Sequence, residues 1–124
     1  MSKSVLIIDD EPDILRVLAM SLRADGYDGA ISFESVYHPG NGDFEAQVRQ
    51  VCENLKNIVE EAGGTLQNIV KKTTFLTHYS YIETYRKVRN EYFPEPCPPN
   101  TLLIVESLAL PEYMIEVEAI AVLD

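Results

Sequence analysis

A chain of 124 residues has the length of one domain, enough to bury one core and too little for two. Hydrophobic residues are 46% and charged residues 24%, an ordinary soluble mix, and no apolar run approaches the ~20 residues of a membrane span. A formal net charge of −10 excludes a surface that tracks a phosphate backbone, which needs clustered Lys and Arg, so no nucleic-acid partner is expected.

In chain order, "VLII" ahead of Asp9 is wholly apolar and suits a strand over 4–8 buried on both faces. "DDEPDILRVLAMSLRADGY" predicts a helix over 12–25. Pro12 suits a first turn, the flanking acids suit the dipole, and Ile14, Val17, Leu18 and Leu22 share a face before Gly26. "GAISFESVYHPGN" predicts a strand at about 30–37 and a turn at Pro39-Gly40. The strongest periodicity follows. Phe44, Val48, Val51, Cys52, Leu55, Ile58, Val59 and Ala62 repeat with helical spacing, and Gly63-Gly64 ends the run.

"NIVKKTTFLT" is β-branched and predicts a strand. Ser80 and Glu83 form an S-x-x-E capping pattern before an apolar stripe of Tyr81, Ile82, Tyr85, Val88 and Tyr92. Prolines at 94, 96, 98 and 99 make "PEPCPPN" a loop. "TLLIVE" and "YMIEVEAIAV" predict two closing strands, the second with Glu116 and Glu118 on one face. The order β-α-β-α-β-α-β-β implies an α/β or α+β sandwich in a single domain, with helices on the sheet.

The start "MSKSVLIIDD" has one lysine and then acids, so it does not read as a secretory signal. Cys52 and Cys97 make no CxxC, which points to free thiols in a reducing, cytoplasmic setting. Cys52 falls on the apolar helix face and reads as core. Neither His38 nor His78 stands at a metal-ligand spacing, and no cofactor is implied.

Residues 4–28 resemble the first strand and helix of a response-regulator receiver domain, on the acidic pair Asp9-Asp10 followed by Glu11-Pro12. In that family the pair holds Mg²⁺ beside a third aspartate that accepts the phosphoryl group. The chemistry needs all three, because a hard cation wants several oxygens and the transferred group needs a nucleophile. The chain has no D-x-x-M-P sequence at the required place. Asp9 and Asp10 therefore read as a solvated strand end rather than a metal site.

From about Gly42 to Val122 the chain resembles the RidA (YjgF) family. The residues that carry this are "GDFEAQVRQVCENLKNIVEEAGGTLQNIVKKTTFLT", "YRKVRNEYF", "PPNT" and "IEVEAIAV". The resemblance implies a chorismate-mutase-like sandwich, with helices on one face of a mixed sheet and a receiver-like β-α unit at its N-terminus. It also implies a homotrimer with small-molecule clefts between subunits. The division is a receiver-like 1–28 and a RidA-like 29–124, as a natural fusion or an engineered chimera would produce.

The family hydrolyses imines and enamines such as 2-aminoacrylate. In it, an arginine of a P-x-R-[ST] segment pairs with the substrate carboxylate, and a strand glutamate positions water. By position the catalytic glutamate is Glu116. The arginine falls on Asn100, followed by Thr101, and an asparagine offers two neutral N–H donors and no charge. A substrate-contacting asparagine of the family falls on Arg86, and a serine of a V-S-G segment on Ser32, with Phe33 in place of the glycine. Two functions of different class follow: an imine deaminase with an impaired site, or a non-catalytic scaffold that binds small ligands weakly at most. An endoribonuclease activity, once ascribed to the family, is disfavoured by the acidity and the absence of a histidine pair.

Overall fold

The computed structural model describes residues 4–9, 20, 22–25, 28–33 and 42–123. Its elements are β1 (Ser4–Asp9), β2 (Asp28–Phe33), α1 (Phe44–Glu61), β3 (Ile69–Leu76), α2 (Ile82–Tyr92), β4 (Asn100–Ile104) and β5 (Ile115–Leu123). They form a mixed α+β fold whose five strands lie in the order β2-β1-β5-β3-β4. Of the helix predicted over 12–25, Met20 and 22–24 are helical, and most of the rest lies outside the described residues. The end of the strand predicted at 30–37 and the turn at Pro39-Gly40 lie there too.

The apolar β1 occupies an interior position. It pairs parallel with β2 and antiparallel with β5, in the register Ile8–Ala119 to Ser4–Leu123. Alternation sends Leu6 and Ile8 to the side of the long helices, into the main core. Val5 and Ile7 point the other way and meet Leu22 and Ile120. A strand covered on both faces needs this unbroken apolar run.

Asp43 caps α1 by accepting from the Ala46 N–H at 3.1 Å. The helix buries Val48, Val51, Cys52, Leu55, Ile58 and Val59 against β5 and α2. It stops where Gly63 takes φ +94°, a conformation that side chains disfavour. The glycine pair predicted this end, and burial of Cys52 pushes its thiol up to about 11, as for an inert core residue.

The capping pattern at Ser80 and Glu83 does not start α2. His78 caps instead, its Nδ1 accepting from the Ser80 N–H at 3.0 Å, and a 3-10 turn over Tyr79–Tyr81 runs straight into the helix. Ser80 is already inside that turn, so it lacks the extended backbone an N-cap requires, and α2 begins without a side-chain cap.

Candidate functional site

The sheet has two unlike faces, and the predicted residues divide between them. Along β5, Ile115, Ala119, Ala121 and Leu123 enter the helix-side core. Glu116 and Glu118 therefore share the opposite face, as predicted, about 7 Å apart along the strand. Register places Glu116 level with Phe75 and Glu118 level with Thr73 of β3, while Thr101 of β4 is level with Thr73 in turn. Thr101, Thr73 and Glu118 thus form a polar row across three strands, with Glu116 one step along.

Asn100 is not in that row. It pairs with Lys72, on the helix side, where its Oδ1 accepts a hydrogen bond from Thr74 Oγ1 at 2.9 Å. Thr74 lies 3.0 Å from the Tyr85 hydroxyl, and the Lys72 ammonium donates to Tyr85 at 3.4 Å. With Thr74 donating to Asn100, the direction of the chain is fixed: Lys72 to Tyr85 to Thr74 to Asn100. Lys72, Thr74 and Tyr85 are all buried. Burial lowers the Lys72 amine to about 8, and its Nζ sits 4.0 Å from the centre of the Phe93 ring.

Arg86 lies on the exposed side of α2, away from the polar row. Ser32 stands in β2 with its backbone level with Ile8. Asp9 closes β1, and Asp10 lies outside the described residues. Among the described residues, no group of three or more His, Cys, Asp or Glu is placed to hold a metal ion. No described helix is long and apolar enough to cross a membrane.

Asp9 has a role that sequence reasoning missed. One step beyond the Ile8–Ala119 pair, its side chain bonds that of Glu118. Both line a cleft of about 250 Å³ together with Lys71, Thr73, Ile7 and Ile120. Desolvation first, then this bond to Asp9, push the Glu118 carboxyl up to about 7, against the opposing pulls of Thr73 and Lys71. Gln47 was missed as well. It is fully buried, its Nε2 donates to the Glu112 carbonyl at 3.1 Å, and its Oε1 accepts from the Met114 N–H at 2.9 Å. That clamp fixes the entry to β5 and hence the level of Glu116. The available signal was a glutamine on the apolar stripe of α1.

Residues 29–123 match the family model described as Endoribonuclease L-PSP. A RutC family protein of Pyrococcus abyssi is 41% identical over 80 residues, covering 64% of this chain and 62% of that protein. The chain thus spans about three-fifths of that relative. The 3-aminoacrylate deaminase RutC of Acinetobacter baylyi is 29% identical in an alignment covering 98% of both chains. The solved structure of RidA from an Antarctic Psychrobacter superposes with a TM-score of 0.61 at 35% identity, over 64% of each chain.

Proposed function

Because the chain belongs to the Endoribonuclease L-PSP family, also called RidA (YjgF), we propose that it is an imine deaminase with a weakened substrate anchor. The substrate class is a small 2-imino acid, or its enamine tautomer of the 2-aminoacrylate type. The observation that carries this is Glu116, half-buried on the sheet face away from the long helices, in a strand that the family match spans. The alignment with RutC, named for 3-aminoacrylate deamination, supports the same chemistry.

In this reading Glu116 accepts a proton from water as its oxygen bonds to the imine carbon. The nitrogen takes up that proton and the tetrahedral carbinolamine forms. Glu116 then accepts the hydroxyl proton and passes it to the nitrogen, the C–N bond breaks, ammonia leaves with its electron pair, and the C=O of the 2-keto acid appears. Thr101 lies on the face of this chemistry and would bond the substrate. Asn100 would anchor the carboxylate only by turning away from Thr74. Arg86, on the exposed side of α2, would reach the substrate only from a neighbouring subunit, and Ser32 would belong to the cleft that such a subunit completes.

The assembly is a homotrimer of one-domain chains. In this reading the 1–28 segment is receiver-like and the 29–124 core RidA-like; the family model's span of 29–123 supports that division, and the RutC alignment over 98% of the chain weighs against it.

A specific observation favours a second reading, a non-catalytic scaffold: the Asn100 amide is committed to Thr74 on the helix side. One assay separates the two. With 2-aminoacrylate generated in place by a dehydratase, the chain should accelerate 2-keto acid release weakly, and Glu116→Ala should abolish the acceleration. Asn100→Arg combined with Thr74→Val removes the stranded hydroxyl and restores a guanidinium. It should raise kcat/KM on the order of 10²-fold, the worth of a charge-assisted pair. Activity that survives Glu116→Ala would sink the deaminase reading.

A further inference from the structure

We propose that Asp9 and Glu118 form a one-proton clasp that holds the β1–β5 seam closed below neutral pH and loosens it above. The clasp is independent of any catalysis by Glu116.

Topology makes this position sensitive. β2 joins the sheet through β1 alone, and β1 meets the rest of the sheet along a single seam with β5. The backbone ladder of that seam runs from Ser4–Leu123 to Ile8–Ala119, and Asp9 and Glu118 stand at its open end. Two carboxylates at such close range cannot both ionise cheaply, and a shared proton turns the repulsion into a hydrogen bond.

The surroundings favour retention of the proton. Ile7 and Ile120 wall the cleft, and the described residue of the helical stretch that packs against them is the uncharged Leu22. From β3, Thr73 bonds Glu118 and Lys71 offers a cation, and both act against the proton. Along β5 itself the nearest charge is Glu116, on the same face. Desolvation and the Asp9 carboxyl thus outweigh the Thr73 bond and one exposed ammonium, and the carboxyl of Glu118 settles well above its ordinary range.

The sign follows from linkage. The folded pKa of Glu118 lies above the unfolded value, so the native state holds a proton that the unfolded chain releases. The stabilisation is complete below the ordinary carboxyl range and is lost as pH rises through about 7.

The test compares the full chain with Glu118→Gln and Asp9→Asn by thermal unfolding and by amide NMR of β1. Relative to Glu118→Gln, the wild type should lose about 3 °C or more between pH 5.5 and 8.5, and Asp9→Asn should show a smaller loss than the wild type, because burial still raises Glu118 while the Asp9 contribution is gone. The amides of 4–9 should shift together with one midpoint near 7. Glu118→Gln keeps a donor for Asp9 and should flatten both responses. Equal pH dependence in wild type and variants would overturn the clasp. Should neither variant fold, the wild-type Glu118 carboxyl carbon decides by itself: a midpoint in the ordinary carboxylate range refutes it.

Discussion

Gln47 and Met114, far apart in sequence, are joined by a 2.9 Å hydrogen bond from the Met114 N–H to the Gln47 Oε1, deep beneath the start of β5. The Gln47 Nε2 donates to the Glu112 carbonyl, so one side chain ties the turn closed by the Tyr113 N–H and the Leu110 carbonyl to the strand's entry. Replacing Gln47 by Leu keeps the volume and orphans the Met114 N–H. We expect a loss of about 1–3 kcal/mol, read as a lower urea midpoint. An unchanged midpoint would show that water reaches the freed groups.

The buried Lys72 predicts a pH dependence of opposite sign to that of Glu118. Its folded pKa of about 8 lies below the unfolded value, so the native state releases its proton first. Stability from this group is lowest below about 8 and rises as pH climbs toward the ordinary lysine range. Lys72→Met should remove that rise and stabilise the protein at pH 7, by on the order of 1–3 kcal/mol. Denaturant titrations at pH 7 and pH 10 check both parts, and a destabilised variant would mean that the Phe93 ring and Tyr85 compensate the charge fully.

Assembly is open to direct measurement. The face carrying Glu116 is covered at its β1 end by Leu22, whereas Leu103 of β4 and Val70 beside the β3 bulge remain about half exposed. Partner copies covering this apolar surface would give a particle of about three times 14.0 kDa. Light scattering at micromolar concentration should return that mass, and a monomeric mass would count against the inter-subunit cleft.

Phosphoryl transfer should fail. Incubation with acetyl phosphate and Mg²⁺ should leave the mass unchanged, because Asp9 is engaged with Glu118 and the sequence supplies no acceptor aspartate. A stoichiometric gain of one phosphoryl group by mass spectrometry would revive the receiver reading.

Much of the fold was legible because its signals are periodic. The stripe from Phe44 to Val59 and the uninterrupted "VLII" each state a burial requirement that one architecture meets. The alternation in "IEVEAIAV" likewise placed Glu116 and Glu118 on one face. What was not legible depends on register between distant strands. Nothing local says that Asn100 would fall level with Lys72 and turn toward Thr74, or that Asp9 would reach Glu118. Capping failed for a related reason: Ser80 matches the pattern, but a preceding turn set by His78 had already claimed its backbone.

The seam between β1 and β5 also sets an order of events in time. Ser4 pairs with Leu123, so during synthesis β1 must wait for β5 before it gains its antiparallel neighbour. At roughly 5–20 residues per second the wait lasts on the order of ten seconds. Throughout it, Val5 to Ile8 present an apolar edge with unpaired N–H and C=O groups, the kind of surface that recruits other strands. The helix α1 and its packing against α2 need no such delay, since their contacts lie close in sequence. Nascent chains stalled before β5 would therefore carry a formed helical layer beside an unmatched, aggregation-prone strand, and protection from a holdase would be needed at Ser4–Asp9.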